Sequence, residues 1–398
     1  MENYDVVVIG AGIVGLASAR SLKIRQPSLK ILICEKESEA GIHASGRNSG
    51  VLHAGFYYSP DSLKAKFCRD GNRQLRNFIS SHRIPIKETG KVVVTRSEEE
   101  DVRLQGLYNR GQKNGVKLDL LPSKDLAKFE PMAKTFNSFL WSPTTAVSDP
   151  KAIIKALVEE MITLGIDISF SAKLINASNG VATFNSKQIA YRHLVNAGGS
   201  QADRIAQLFG VGAQYSMIPF IGMYRYVNQE KLPLRTLVYP VPHPINPFLG
   251  VHFTLTFDGL VKIGPTAIPI VGREQYSFGS RVELKDFKST LISALSLITG
   301  KEHSASQIIS TEFPKFSTRI LVRESSQLVP LAIGVRGWRV KPPGIRSQLV
   351  NLQSGELVQD FLAEKGEKST HILNAVSPGW TSALPFGDFI ADQVMAQL

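Results

Sequence analysis

The sequence is poor in cysteine, with only Cys34 and Cys68 among its 398 residues. Neither belongs to a Cys-x-x-Cys pair, so the common zinc and disulfide patterns are missing and a reducing compartment fits the composition. No stretch approaches the roughly 20 uninterrupted apolar residues that a membrane-spanning helix needs. The chain enters an apolar strand at once, without a basic and apolar leader, so we expect no secretory signal and a cytoplasmic location.

Runs of like charge, internal repeats and low-complexity segments are also missing. Lysine and arginine number 46 and the acids 34, a net charge of +12, yet the basic residues are scattered along the chain. With no accompanying motif, nucleic-acid binding is not predicted. Three interpretations of the charge stay open: a solvated surface, attraction of an anionic substrate, or contact with the inner face of an anionic membrane.

The first 35 residues carry a nucleotide-binding pattern. "DVVVIGAGIVGLASARSL" predicts a buried strand, a glycine turn and a helix, with the spacing Gly-x-Gly-x-x-Gly. Gly10 allows the sharp turn, Gly12 leaves room for a pyrophosphate at the helix N-terminus, and Gly15 lets the helix approach the strand. A second strand, "KILICE", ends in Glu35, whose carboxylate suits a ribose diol. Together these features predict a dinucleotide site.

The glycine pattern alone does not separate NAD from FAD. After the second strand the chain continues as "KESEAGIHASGRNSG", a charged segment followed by small residues. In flavoproteins of the D-amino-acid-oxidase type, such a segment follows the extended dinucleotide towards the isoalloxazine ring. Small residues there allow the chain to approach the cofactor closely, so the segment indicates FAD.

The segment "GRNSGVLHAGFYYSPDSLKAKFCRDG" resembles the L-2-hydroxyglutarate oxidase/dehydrogenase family, a branch of the same FAD-dependent superfamily. Three later segments also resemble this family, so the similarity covers almost the whole chain in order. They are "YPVPHPINPFLGVHFTLTFDGLVKIGPTA", which contains Pro247 and Phe248, then "GIRSQLVN" and "LNAVSPGWTSALPFGDFIA". The chain departs from the family pattern at Arg47, where many members have a histidine, and around Trp380 and Pro385.

The resemblance implies FAD as the cofactor. We expect noncovalent binding, since no histidine or cysteine linkage motif stands out, and no metal, since neither cysteine lies in a metal-binding pattern. The implied cofactor-binding residues are Gly10, Gly12, Gly15, Glu35, Lys36, Arg47, Asn48, Ser49, Gly50, Ala197, Gly198, Gly379, Trp380, Thr381 and Ser382. The last two residues mark the predicted start of a C-terminal helix, whose positive dipole end would face the flavin. Capping of this helix by the hydroxyl of Thr381 or Ser382 is compatible with that role.

The implied reaction is oxidation of L-2-hydroxyglutarate, a 2-hydroxy dicarboxylic acid, to 2-oxoglutarate by hydride transfer to flavin N5. The substrate hydroxyl must also lose a proton, and histidine suits that task near neutral pH. His53 is the first candidate for the base or a flavin neighbour, and His252 for a substrate contact. Arg346 is the strongest candidate for a carboxylate, which arginine binds with two hydrogen bonds. Tyr57 and Tyr239 are candidates for hydrogen bonds to the substrate, with packing as the alternative.

We predict an α/β fold (α+β overall) with two discontinuous domains. Alternating helix and strand patterns predict a Rossmann-like FAD-binding domain formed by residues 1–80, 145–215 and 330–398. Short, proline-rich strands predict a second, mostly antiparallel β-sheet domain for the substrate, formed by residues 81–144 and 216–329. Within the second domain, Asp258-Gly259 between two alternating apolar runs predicts a β-hairpin.

Two other functions stay open on the residues alone. One is an amine or amino-acid oxidase of the same superfamily, which would oxidise a C–N bond of a small carboxylate-bearing amine. The other is a flavin-binding interaction module that has lost catalysis, against which the intact glycines and histidines argue.

The electron acceptor is either oxygen or a quinone, and peripheral membrane contact accompanies the quinone alternative.

Overall fold

The computed structural model describes residues 1–243, 249–277, 282–300 and 310–398. Pro247 and Phe248, which contribute to the family resemblance, lie outside the described residues. The helices in these ranges are α1 (Ile13–Arg25), α2 (Leu63–Ser81), α3 (Glu98–Lys113), α4 (Leu126–Phe129), α5 (Pro150–Thr163), α6 (Ala202–Gln207), α7 (Leu284–Thr299), α8 (Thr318–Ser325) and α9 (Ala383–Met395). None of them combines the length and hydropathy needed to cross a membrane.

The strands of the described residues lie in four sheets. In chain order they are β1 (Glu2–Ile9), β2 (Ile31–Cys34), β3 (Val51–Leu52), β4 (Ile86–Lys87), β5 (Lys91–Val94), β6 (Asp119–Pro122), β7 (Ser138–Ser142), β8 (Ala146–Ser148), β9 (Asp167–Ser169), β10 (Leu174–Ser178), β11 (Val181–Phe184), β12 (Gln188–Asn196), β13 (Tyr215–Gly222), β14 (Arg225–Asn228), β15 (Leu237–Pro240), β16 (His252–Leu255), β17 (Leu260–Gly264), β18 (Ile268–Pro269), β19 (Arg339–Val340), β20 (Gly344–Asn351), β21 (Glu356–Leu357), β22 (Leu362–Gly366) and β23 (Ser369–Asn374).

The first sheet has a parallel centre. Strand β1 pairs in parallel with β2 on one side and with β12 on the other, and β12 also pairs in parallel with β23. Helices α1, α5 and α9 pack together on this sheet, where Leu16, Leu157 and Ile390 are fully buried. Because parallel strands end at the same edge of a sheet, this arrangement gathers the carboxyl ends of β1, β2 and β12.

The second large sheet is mostly antiparallel, in the order β19-β14-β17-β16-β15-β5-β7-β6, with β5 and β15 as its parallel pair. The predicted hairpin at Asp258-Gly259 is confirmed, since these residues connect the antiparallel strands β16 and β17. Two smaller sheets join β18, β13, β20 and β21, and β3, β8 and β4. The predicted fold class, a Rossmann-like sheet beside a mostly antiparallel one, is therefore confirmed.

The strand β20 bears on where the domains divide. It pairs with β13 along its whole length, from Gly222–Gly344 to Tyr215–Asn351. Residues 344–351 therefore pair with a strand that lies almost wholly in the predicted second domain, although the predicted boundary assigns 330–398 to the FAD-binding domain. The domain boundaries stay a prediction. What matters for the site is that β20 pairs with β13 and also packs against β23 of the first sheet.

Candidate active site

Two glycines allow the close packing at the end of β1. A Cβ atom on Gly15 would lie 2.0 Å from the carbonyl oxygen of Gly10, and one on Gly10 would lie 2.5 Å from the carbonyl oxygen of Ala197. Gly10 also has a φ of +106°, which disfavours any side chain. Gly12 faces the Ser45 hydroxyl, which accepts a 3.0 Å hydrogen bond from the Ile13 amide. The glycine backbone and the small Ser45 side chain thus form a cradle at the N-terminus of α1.

Glu35 closes one side of this cradle. Its buried carboxylate accepts hydrogen bonds from the amides of Ala11 (2.8 Å) and Glu37 (3.0 Å). The neighbouring Lys36 lines the same cavity, but its ammonium group lies 2.9 Å from the Glu274 carboxylate and also pairs with Glu37. Lys36 therefore ties the segment after β2 to Glu274, which belongs to the predicted second domain.

Arg47 contacts the same segment of the second domain. Its guanidinium lies 4.1 Å from the centre of the Tyr276 ring, and its Nε donates to the carbonyl oxygen of Ile42 at 2.8 Å. On the opposite side, Gln201 donates to Glu274 at 3.1 Å. Residues 272–276 thus bridge the segment that follows β2 and the segment that follows β12, across the edge of the cradle.

A cavity of about 830 Å³ begins at the cradle and is lined by residues from both of the predicted domains. Its wall includes Gly10, Gly12, Gly15, Glu35, Lys36, Arg47, Asn48, Ser49, His53, Ala197, Gly198, Tyr224, Tyr239, His252, Arg346, Gly379, Trp380 and Thr381. Gly50 and Ser382 are not part of the wall. The structure therefore brings most of the predicted site residues to one continuous space.

The C-terminal helix α9 begins at this cavity, immediately after Ser382, and the alternative of a hydroxyl cap is not realised. Ser382 occupies the N-cap position without a side-chain hydrogen bond to the helix. The Thr381 hydroxyl instead donates to the carbonyl oxygen of Val51 and accepts from the amide of His53, both at 3.1 Å. Because these bonds are long-range, they fix the start of α9 to the segment that carries His53.

Two neutral histidines line the far end of the cavity. Burial lowers the pKa of His53 well below its usual value, and Lys91, His252 and Arg346 lower it further. Burial also lowers the pKa of His252 to about 3. The Nδ1 atom of His252 lies 2.9 Å from the carbonyl oxygen of Gly250. Since a carbonyl oxygen only accepts, Nδ1 carries the hydrogen and Nε2 is left as the basic nitrogen.

The His53 ring has a different environment. Its Nδ1 atom is buried and has no hydrogen-bond partner among the described residues. A buried polar atom without a partner is costly, and such atoms concentrate where a ligand belongs. His53 therefore has an unused hydrogen-bonding group beside the cavity.

Arg346 and the tyrosines occupy different positions. Arg346 lies on β20 opposite Phe220 and lines the cavity, and burial lowers its pKa. The Tyr239 ring stacks on His252 with ring centres 3.8 Å apart. Tyr57, in contrast, lies behind the wall, with its ring 4.8 Å from the Nζ atom of Lys91. The structure does not bring Tyr57 into the cavity, so its predicted substrate contact gains no support.

Lys91 is the main residue that the sequence analysis missed. It is fully buried on β5, and its Nζ atom has no hydrogen-bond partner among the described residues. Three aromatic rings surround the ammonium group, with centres at 4.5 Å for Tyr239, 4.8 Å for Tyr57 and 5.1 Å for Phe56. Burial lowers its pKa to about 7. Only a lysine inside an otherwise apolar strand, "GKVVVT", marks it in the sequence.

Lys262 and Lys64 are buried in the same region. The Nζ atom of Lys262 lies 4.6 Å from the centre of the Tyr224 ring and 3.4 Å from the carbonyl oxygen of Ser49. Burial lowers the pKa of Lys262 to about 7 and that of Lys64 to about 8, and Arg346 contributes to the second shift. Neither side chain is part of the cavity wall, but each would add positive charge to that of Arg346 when protonated.

Comparison with known proteins agrees with this arrangement. The family model of FAD dependent oxidoreductases (DAO) matches residues 5–393. The mitochondrial L-2-hydroxyglutarate dehydrogenase of Caenorhabditis briggsae is 34% identical over 100% of this chain and 94% of its own length. The human mitochondrial enzyme of the same name is 33% identical over 99% of this chain and 89% of its own.

The chain belongs to this family of FAD-dependent oxidoreductases. Its resemblance to L-2-hydroxyglutarate dehydrogenases, expected from the motifs, is confirmed. The fold also matches that of FAD-bound L-alpha-glycerophosphate oxidase from Mycoplasma pneumoniae, with a TM-score of 0.79 and 21% identity, over 100% of this chain and 95% of the other. The flavoprotein prediction and the oxidoreductase prediction are confirmed as well.

The residues of this oxidoreductase fit FAD. Gly10 and Gly12 bring no side chain of their own to the N-terminus of α1, which leaves room for a pyrophosphate beside the Ser45 hydroxyl. The Trp380 Nε1 atom, like Nδ1 of His53, is buried without a partner among the described residues. Glu35 lies where a ribose would meet the end of β2. These residues would hold the cofactor, and when bound FAD supplies the acceptor for a hydride.

Proposed function

We propose that this oxidoreductase converts L-2-hydroxyglutarate to 2-oxoglutarate. The observation that carries the proposal is one cavity that joins a dinucleotide cradle to two neutral histidines and an arginine. Full-length similarity to L-2-hydroxyglutarate dehydrogenases supports the choice of substrate. A small carboxylate is the substrate class that such a cavity suits.

The positive potential supports a dicarboxylate substrate. Arg346 lines the cavity and can bind one carboxylate with two hydrogen bonds. Lys64, Lys91 and Lys262 are buried nearby without lining the cavity, and burial lowers their pKa values to about 8, 7 and 7. A substrate with two negative charges would favour the protonated forms of these lysines, because opposite charges attract strongly where water is excluded.

The histidines support removal of the hydroxyl proton. With Nδ1 of His252 bonded to Gly250, the lone pair on Nε2 can accept a proton from a substrate hydroxyl. A bound dianion would raise the pKa of this ring, since a nearby negative charge favours the protonated form. His53, which is fixed to the start of α9, offers its unpartnered Nδ1 at the same end of the cavity.

For the electron acceptor we infer a membrane quinone rather than oxygen. The relatives are named dehydrogenases, and the net charge of +12 suits contact with an anionic membrane on its cytoplasmic side. The measurement is reoxidation of the substrate-reduced protein in aerated buffer and, separately, with a short-chain quinone without oxygen. Faster reoxidation by oxygen would overturn this choice of acceptor.

The test of the substrate is product analysis with an artificial electron acceptor. We expect 2-oxoglutarate from L-2-hydroxyglutarate and none from the D enantiomer. L-Glutamate, which has the same carbon skeleton, should release no ammonia. Ammonia from L-glutamate, with no product from the hydroxy acid, would reassign the chain to C–N oxidation.

A further inference from the structure

Residues 272–276, which we call the strap, cross the edge of the glycine cradle. The strap follows β18, which pairs with β13, and each of its residues lines the cavity. The Glu274 carboxylate lies 2.9 Å from the ammonium group of Lys36 in the segment after β2. It also accepts a 3.1 Å hydrogen bond from Gln201 in the segment after β12. Because β2 and β12 flank β1, the strap joins the two sides of the cradle.

On the side of β12 the strap is held by a buried ion pair. The Arg273 guanidinium donates two hydrogen bonds to the Asp203 carboxylate on α6, the longer of them 2.7 Å, and one of 2.8 Å to the carbonyl oxygen of Ser200. Both charged side chains are 1% exposed. Separating them would leave two uncompensated charges in the interior, which is strongly unfavourable. We call this ion pair the anchor.

On the side of β2 the strap is held by a cluster centred on Lys36. Its ammonium group lies 2.9 Å from Glu274 and 3.0 Å from Nε2 of His43, and it also pairs with Glu37. One atom each of Glu37, His43 and Glu274 lie within 4.8 Å of one another, a spacing that would suit a metal ion. The Lys36 ammonium group contacts all three residues, so it is the cation of this cluster.

Tyr276 of the strap adds a second link to the same segment. Its hydroxyl lies 2.7 Å from Nδ1 of His43, whose Nε2 atom lies 2.8 Å from the Glu37 carboxylate. The centre of its ring lies 4.1 Å from the Arg47 guanidinium. The side chains that hold the strap on this side, which we call the clasp, are Lys36, Glu37, His43, Glu274 and Tyr276.

The clasp is the weaker of the two attachments. The side chains of Lys36, Glu37 and Glu274 are 26–31% exposed, and that of His43 is 28% exposed. Ion pairs that water reaches contribute little to stability and are screened by salt. The strap can therefore detach from the segment after β2 while the anchor still holds it to α6.

We propose that the strap is a gate for FAD, which opens at the clasp and stays attached at the anchor while the cofactor enters or leaves. The cradle at Gly10 and Gly12 shares its cavity with the strap. The strap also joins the two segments between which a cofactor held at the cradle must pass. The inference concerns the cofactor, so it does not depend on the proposed substrate.

A gate has a kinetic signature that a direct contact lacks. The bonds of the clasp join the protein to itself, so weakening the clasp favours the open strap equally with and without FAD. FAD association and dissociation then speed up by the same factor, and the dissociation constant stays the same. Loss of a direct contact with FAD would instead speed up dissociation alone and raise the dissociation constant.

The test is exchange of FAD by the loaded protein. Glu274→Gln keeps the size of the side chain and an oxygen for Gln201, and it removes the charge that faces Lys36. Labelled FAD on the protein is chased with excess unlabelled FAD, and equilibrium dialysis gives the dissociation constant. We expect release about fivefold faster, the factor expected for a partly exposed ion pair, at an unchanged dissociation constant. High salt should speed release from the parent protein more than from the variant, because salt screens the pair that the variant lacks.

The matched control is Glu39→Gln, which removes the same charge from an exposed position in the segment after β2, outside the clasp. It should release FAD like the parent protein. A second variant, Tyr276→Phe, removes the hydroxyl beside His43 and keeps the ring beside Arg47, and it should show the same signature as Glu274→Gln. Release at the parent rate by either clasp variant would overturn the proposal. So would faster release with a proportionately higher dissociation constant, which would make the clasp residues direct contacts of FAD.

Discussion

The buried lysine Lys91 gives the sharpest quantitative prediction. Burial lowers its pKa from 10.5 to about 7, a shift of about 3.5 pH units. At about 1.4 kcal/mol per unit, the shift corresponds to roughly 5 kcal/mol against the charged form in the folded state. The three surrounding rings reduce this cost, since each cation–π contact is worth about 0.5–2 kcal/mol.

The substitution Lys91→Met keeps the length of the side chain and removes the ammonium group. We expect the FAD-loaded variant to be more stable than the parent by about 1–4 kcal/mol at pH 7, as is found when buried charges are replaced by apolar groups. The measurement is the free energy of unfolding in urea, with equal free FAD throughout.

The pH dependence tests the cause. Between about pH 7 and 10.5 the unfolded chain binds a proton at Lys91 that the folded chain does not, so the parent gains stability as pH rises. From pH 7 to pH 9 the advantage of the variant should therefore shrink by roughly 2 kcal/mol. Lys64 and Lys262 titrate in both proteins and cancel in the difference. A constant advantage, or a less stable variant at pH 7, would refute the reasoning.

Three further substitutions test the cavity itself. Gly15→Ala should lower FAD affinity and the melting temperature, because the new Cβ would lie 2.0 Å from a carbonyl oxygen. The control is Gly106→Ala, where the new Cβ meets no atom within 4 Å; it should retain FAD and gain up to about 1 kcal/mol of folding stability. Arg346→Met should raise KM for L-2-hydroxyglutarate about 10–100-fold at unchanged flavin content, since a charged hydrogen bond is worth about 1.5–3 kcal/mol. The control Arg73→Met, at an exposed position, should leave KM unchanged. His252→Gln should lower kcat about 10²–10⁴-fold and remove the acid limb of the pH–rate profile. An unaltered profile would exclude His252 as the base.

Local chemistry made the first part of the fold predictable. Gly10 and Gly15 lie where β1, α1 and the segment after β12 approach each other too closely for a side chain. The spacing of these glycines in the sequence therefore predicts the close packing. The hairpin at Asp258-Gly259 is encoded in the same local way. The assignment of FAD also depended on a continuous segment of small residues.

Long-range contacts account for what the sequence did not reveal. Lys91 faces Tyr239 because β5 pairs in parallel with β15, and no local pattern reports which strands become neighbours. The Tyr57 ring also lies at Lys91 and outside the cavity wall, a contact between residues 34 positions apart in the chain. Threonine often caps helices, but the Thr381 hydroxyl donates instead to the carbonyl oxygen of Val51, 330 positions away in the chain. Lys36 similarly pairs with Glu274 of the other domain.

Anaerobic mixing of the FAD-loaded protein with L-2-hydroxyglutarate tests the central claim most directly. The flavin absorbance near ~450 nm reports hydride uptake by the cofactor itself, independently of the electron acceptor. The account predicts rapid loss of this absorbance with the L enantiomer and none with the D enantiomer. If the L enantiomer leaves the absorbance unchanged while dithionite abolishes it, the flavin site stands and the proposed substrate is wrong.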